Sequence, residues 1–140
     1  MIFAIIFLNV KEGNIMKFLH AMIRVSDLNK SLEFYKELLG FDIVKELRLD
    51  DCTLYYLGCK ESGDFQIELT DNDEKVDNYQ NGNAFGHFAF AADDLEKVGQ
   101  KMKKLGIDWL YEPYELDKIN SKIAFLKDPD GNEIELIQQM

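Results

Sequence analysis

The 140-residue sequence is poor in cysteine and in basic residues. Its two cysteines, Cys52 and Cys59, form neither a CxxC pair nor a repeated metal-binding spacing. A small secreted protein held by disulfides normally carries more cysteine, so we expect a reduced, cytoplasmic protein. Lys and Arg total 16 against 26 Asp and Glu, and the formal charge of -10 argues against nucleic acid and anionic membranes as partners.

The sequence also lacks an apolar segment long enough to cross a membrane. Its most apolar stretch, MIFAIIFLNV at the N-terminus, is shorter than the roughly 20 residues a spanning helix needs, and it lacks the basic region and cleavage site of a signal peptide. Codons for residues 11–13 can resemble a ribosome-binding site just before Met16. We therefore interpret residues 1–15 as an N-terminal extension, a mis-assigned leader, and residues 16–140 as one domain. An extra edge strand or a frayed terminus is the alternative.

From Met16 onward, the pattern of strands and helices occurs twice. A strand, FLHAMIRV, precedes the amphipathic helix NKSLEFYKELLG and three extended segments; HFAFAA precedes the helix DDLEKVGQKMKKLG and three more. Ser26 or Asp27 can cap the first helix, and Gly40 can end it. The alternation and helical spacing predict two β-α-β-β-β modules, at about 16–72 and 84–140.

A histidine and a glutamate occupy equivalent positions in the two halves. Glu68 follows His20 by 48 residues, and Glu135 follows His87 by the same 48 residues. The chain has no other histidine. A lone histidine or glutamate on a strand is usually structural, but matched pairs indicate a duplicated unit. Imidazole and carboxylate ligands without thiolate predict a catalytic divalent-metal site.

Strand alternation brings two more polar side chains to this region. His20 and Arg24 share a face of the first strand, and Glu68 shares a face with Asn72 if its strand continues that far. An arginine in this position could bind a substrate carboxylate through two hydrogen bonds. An ion pair on the protein surface is the alternative for Arg24.

Four segments together resemble glyoxalase I, the lactoylglutathione lyase of the vicinal oxygen chelate superfamily. They are FLHAMIRVSDLNKSLEFYKELLGF, QIELT, AFGHFAF and FLKDPDGNEIELI, and the resemblance covers Met16 to Met140. The DPDG turn followed by IEL is common across the superfamily. The combination of His20, Glu68, His87 and Glu135 is more specific, because other members generally differ at one of these four ligands.

The resemblance implies an α+β fold of two βαβββ modules, with curled mixed sheets around a metal cavity. It also implies a homodimer with sites at the subunit interface, where His20 and Glu68 of one subunit meet His87 and Glu135 of the other. Each site would hold one divalent metal. Nickel or cobalt fits this class better than zinc, which the ligand set would also accept.

The implied enzyme is a carbon–sulfur lyase that detoxifies methylglyoxal. It isomerises the hemithioacetal of methylglyoxal and glutathione, or a related thiol, to an S-lactoyl thioester. Glu135 would be the main catalytic base and Glu68 the second catalytic carboxylate. Arg24 and Asn72 match the positions that hold the γ-glutamyl end of the thiol.

The chain departs from the family pattern where many members close a glycine-rich, basic loop over the glycyl carboxylate. Residues 112–121 lack that loop, Lys118 is a possible substitute, and Asn83 stands where some members have an arginine. The identity of the thiol is therefore open. The alternative functions are another enzyme of the superfamily, such as an acyl-thioester epimerase, and a non-catalytic small-molecule binding protein. Such binders often lose the metal ligands that this chain keeps.

Overall fold

Two four-stranded sheets, each with one main helical segment, form the α+β fold that the sequence predicts. The computed structural model describes residues 16–140, so the leader proposed for residues 1–15 lies outside the described residues. The first half contains β1 (His20–Arg24), α1 (Leu28–Leu32), β2 (Asp42–Arg48), β3 (Cys52–Gly58) and β4 (Gln66–Asn72). The second contains β5 (His87–Ala91), α2 (Leu95–Leu105), β6 (Trp109–Leu116), β7 (Ser121–Lys127) and β8 (Glu133–Gln139).

Both sheets have the same strand order, β1-β4-β3-β2 and β5-β8-β7-β6. The first and last strands of each half pair in parallel, and the other pairs are antiparallel. The register is also the same, because Glu68 lies opposite Met22 and Glu135 lies opposite Ala89. The repeat seen in the sequence is therefore a repeat in three dimensions, and it places equivalent residues at equivalent points of the two sheets.

Aspartates begin both helices. The Asp27 carboxylate accepts a hydrogen bond from the backbone N–H of Lys30, and Asp94 caps α2 in the same way. These bonds satisfy amides that the first helical turn leaves without a partner. Of the two cap candidates in the first half, Asp27 is therefore the residue that caps the helix.

The first helix differs from the regular α-helix that the apolar spacing predicts. After α1 the chain continues as a π-helical segment, Glu33–Leu38, in which the Leu39 amide bonds the Phe34 carbonyl five residues earlier. The Tyr35 hydroxyl donates a hydrogen bond to Asp128 in the other half. Tyr35 lies within the π-helical segment. The spacing of apolar residues along the helix cannot predict its contact with a residue of the other half.

One cluster of buried side chains joins the two halves. It draws residues from both helical regions and both sheets, and its members include Tyr35, Leu57, Leu69, Met102, Leu126 and Leu136. Phe41 and Phe90 pack edge to face across the junction, with 5.5 Å between ring centroids. Within residues 16–140, no helix combines the length and apolar character needed to cross a membrane.

Candidate active site

The first predicted pair of metal ligands is in direct contact. The Nε2 atom of His20 lies 2.8 Å from Oε2 of Glu68. Thr70 donates a hydrogen bond of 3.2 Å to the other oxygen of Glu68, and the Tyr56 ring lies edge to face with the His20 imidazole. Burial, followed by the charge of Glu68, raises the pKa of Tyr56. The Glu68 side chain is 9% exposed and the His20 side chain is 36% exposed. The carboxylate is therefore enclosed by its neighbours, while the imidazole stays partly accessible to solvent.

The second pair repeats this arrangement in the other sheet. His87 Nε2 lies 3.0 Å from Oε2 of Glu135, and their side chains are 42% and 15% exposed. Phe125 lies edge to face with the His87 ring and also contacts Tyr111 of β6. Phe125 therefore occupies the position beside His87 that Tyr56 occupies beside His20.

Each pair presents one imidazole nitrogen and one carboxylate oxygen at the same point, a donor set that suits zinc, nickel or cobalt. Nε2 and the carboxylate oxygen lie close enough for one ion to contact both. Among residues 16–140, no three His, Cys, Asp or Glu side chains gather closely enough to hold a metal ion. The structure thus brings the four predicted ligands together as two pairs, one on each sheet.

Arg24 lies at the end of β1 and lines a cavity of about 400 Å³. Within the described part of the chain, no carboxylate forms an ion pair with Arg24, so the surface ion pair considered as the alternative is not observed there. Asn72 donates a hydrogen bond of 3.2 Å to the Tyr79 hydroxyl, and Tyr79 lines the same cavity. Asn72 therefore contacts a wall of the Arg24 cavity through Tyr79.

Several residues of this cavity were not predicted from the sequence. They are Tyr79, Gln80 and Asn81 from the segment between the halves and Asn132 from the turn before β8. Two aromatic residues around β5, Phe85 and Phe88, also line the cavity. The segment between the halves has no periodic pattern, and Asn132 directly follows the DPDG turn, where the sequence pattern gives no sign of a cavity. Lys118 and Asn83 are exposed and are not among the residues that line this cavity.

The turn of residues 128–132 is built around a buried carboxylate. Asp128 accepts hydrogen bonds from the backbone amides of Asp130 and Asn132, the Asn132 side chain and the Tyr35 hydroxyl, at 2.7 to 2.9 Å. Burial raises the pKa of Asp128, and the bonds from Asn132 and Tyr35 offset part of that effect. The turn is therefore rigidly organised and is tied to the first helix.

The sequence and fold of this chain match a known family. The family model of the Glyoxalase/Bleomycin resistance protein/Dioxygenase superfamily matches residues 17–136. The chain belongs to this superfamily. A probable lactoylglutathione lyase of Synechocystis sp. is 42% identical over 123 residues, covering 86% of this chain and 93% of the relative. The lactoylglutathione lyase of Neisseria meningitidis is 35% identical, with 89% and 91% covered.

Solved structures of glyoxalase I share the superfamily fold with this chain. Glyoxalase I of Zea mays is 36% identical with a TM-score of 0.79; the match covers 88% of this chain and 44% of the maize chain, so this chain spans less than half of it. The trypanothione-dependent glyoxalase I of Leishmania major is 34% identical with a TM-score of 0.74, covering 89% and 87%. Similarity to the Leishmania protein extends over most of both chains.

Proposed function

We propose that this protein is a metal-dependent lactoylglutathione lyase. It converts the hemithioacetal of methylglyoxal and glutathione, or a related thiol, into an S-lactoyl thioester, and thereby detoxifies methylglyoxal. The observation that carries the proposal is the presence of two His–Glu pairs, His20 with Glu68 and His87 with Glu135, in the same geometry on two sheets. Relatives named lactoylglutathione lyase, at 35–42% identity over most of their length, support it.

In this proposal two subunits complete each site. One chain presents two half-sites, and a site with four ligands needs a pair from each of two copies. Large apolar side chains are exposed near the pairs, including Met22, which shares a face of β1 with His20, and Tyr111, which contacts Phe125. Exposed apolar surface of this kind often marks an interface, and a two-fold dimer would bury it twice.

Glu135 is the proposed base for the proton transfer. A divalent cation held by the His–Glu pairs would supply Lewis-acid polarisation of the substrate, which would make the C–H on the carbon between sulfur and carbonyl more acidic. An oxygen of Glu135 accepts the proton from the carbon that bears sulfur and returns it to the adjacent carbon. The hydroxyl proton moves from the oxygen on the sulfur-bearing carbon to the neighbouring oxygen, so the hydroxy-ketone becomes a hydroxy-thioester. Glu68 is the equivalent carboxylate on the other half-site and could serve the opposite substrate epimer.

Arg24 and Asn72 are the proposed thiol-binding residues. The Arg24 guanidinium is free of carboxylate partners among the described residues and faces a cavity with amide and hydroxyl groups, so it can bind a carboxylate of the thiol. Asn72 acts beside it, next to Tyr79. Glutathione fits this chemistry. The Leishmania major glyoxalase I is described as trypanothione-dependent, so a related thiol is also included in the proposal.

Nickel or cobalt is the proposed ion, with zinc as a possible substitute, and the cytoplasm is the proposed location. The mixed imidazole and carboxylate donors accept all three ions. Cys52 and Cys59 are both free thiols, which agrees with a reducing compartment.

One assay tests the proposal. Purified protein is stripped with a chelator, reloaded with nickel, cobalt or zinc, and mixed with methylglyoxal and glutathione while thioester absorbance is followed. We expect turnover that is lost on stripping and restored by at least one ion. Protein that binds metal by calorimetry and shows no turnover with any ion would contradict the proposal, and epimerisation of an acyl-thioester by the same samples would favour the alternative enzyme.

A further inference from the structure

The end of β1 is anchored to the other half of the molecule. Ser26 lies two residues beyond Arg24, and its hydroxyl donates a 2.6 Å hydrogen bond to Oδ1 of Asp130. The Ser26 backbone N–H lies 3.1 and 3.3 Å from the two oxygens of the same carboxylate. Hydrogen bonds to an ionised carboxylate are among the stronger ones in proteins. A residue 104 positions away therefore restrains the chain immediately after Arg24.

The 128–132 turn reaches the Arg24 cavity at a second point. The Asn132 side chain, which donates to Asp128, accepts a 2.9 Å hydrogen bond from the Asn81 side chain. Asn81 and Asn132 both line the cavity that contains Arg24. One turn thus fixes both the strand that carries the arginine and the amide-rich wall of the cavity.

We propose that Asp130, acting through Ser26, is a positioning residue for Arg24 in thiol binding. This inference rests on the proposed function, because it takes Arg24 as the residue that binds the thiol. A long arginine side chain loses rotamer freedom when it binds a ligand. A fixed backbone at the strand end limits where the guanidinium can lie before the thiol arrives, which favours binding. The chemistry of the reacting carbons is not affected.

Four variants test the proposal. Asp130→Ala removes the anchor, Asp130→Asn keeps an oxygen for Ser26, and Ser26→Ala removes only the hydroxyl. Tyr35→Phe is the matched control, because it removes a hydrogen bond to the same turn and leaves the bonds between Ser26 and Asp130 in place. Each metal-loaded variant is measured for kcat and KM with the glutathione hemithioacetal, for melting temperature, and for binding of an S-alkylglutathione by calorimetry.

We expect Asp130→Ala to raise KM and the S-alkylglutathione Kd by about five- to tenfold, with kcat within about twofold of wild type. Ser26→Ala should have a smaller effect in the same direction, and Asp130→Asn should restore most of the binding. Tyr35→Phe should lower the melting temperature and leave KM unchanged. If Asp130→Ala fails to fold, Ser26→Ala decides the question.

An unchanged KM and Kd in Asp130→Ala or, where that variant does not fold, in Ser26→Ala would overturn the inference and leave the proposed function intact. A loss confined to kcat would overturn it in the same way. Wild-type protein that neither turns over the hemithioacetal nor binds the S-alkylglutathione with any of the three ions would instead overturn the proposed function, and this inference with it.

Discussion

His20 and Glu68 lie 48 residues apart along the chain, yet their Nε2 and Oε2 atoms are 2.8 Å apart. The same separation relates His87 and Glu135, whose atoms are 3.0 Å apart. The parallel pairing of the first and last strands in each half explains both distances, because it brings the glutamate beside the strand that begins with the histidine. A duplicated βαβββ unit therefore produces two equivalent His–Glu pairs.

Glu135→Gln should lower kcat by at least about a hundredfold, because an amide cannot accept the substrate proton. The amide oxygen remains a weak ligand, so nickel binding measured by calorimetry should be largely retained. Glu96→Gln, at an exposed position of α2, is the control and should leave kcat unchanged. A Glu135→Gln variant with wild-type kcat would show that another group moves the proton.

Arg24→Ala should raise KM for the hemithioacetal by about tenfold or more, because it removes a charged hydrogen-bond donor for the thiol carboxylate. We expect a much smaller change in kcat. Arg48→Ala is the control, since Arg48 pairs with Asp73 at an exposed position. Initial rates over a range of hemithioacetal concentrations measure both constants, and an unchanged KM for Arg24→Ala would refute the assignment of this residue.

The sequence predicted the fold and the matched His–Glu positions because both follow from local patterns and from the repeat. Strand alternation places His20 and Arg24 on the same face, and equal spacing relates the two halves. The assignment of these residues to metal and thiol binding remains a prediction.

Contacts between the halves could not be predicted in the same way. Ser26 was considered as a helix cap, but it binds Asp130, which lies 104 residues away. The π-helical segment with Tyr35 and the cavity wall formed by Asn81 and Asn132 also involve distant partners. Such contacts depend on how two modules pack, and neither module's periodicity contains that information.

Asp128 should make stability fall as the pH rises. Burial raises its folded-state pKa above the unfolded value of about 3.9. The folded protein therefore holds this proton more tightly; the stabilisation is complete below the unfolded pKa and is lost as pH rises through the folded pKa. Urea titrations at several pH values measure the free energy of unfolding of wild type and of Asp128→Asn. The difference, wild type minus variant, should decrease as the pH rises from the unfolded pKa through the folded pKa of Asp128.

Asp73 provides a control of opposite sign for that experiment. A hydrogen bond from Arg48 lowers the pKa of Asp73. Its contribution is present above the unfolded pKa and is lost as pH falls through the folded pKa, so the difference between wild type and Asp73→Asn should increase with pH. Equal slopes for the Asp128 and Asp73 comparisons would contradict the pKa shifts of these two groups.

Mixing two inactive variants should restore activity if each site takes one pair from each subunit. His20→Ala and His87→Ala each disable every site of their own homodimer. In a mixed dimer, one site combines both substitutions, and the other keeps an intact His20–Glu68 pair and an intact His87–Glu135 pair. Unfolding and refolding equal amounts together should thus recover about one quarter of wild-type activity, since half of the dimers are mixed and each has one working site. Refolding each variant alone is the control. Absence of recovery, with dimers verified by light scattering, would show that the two pairs do not combine across subunits.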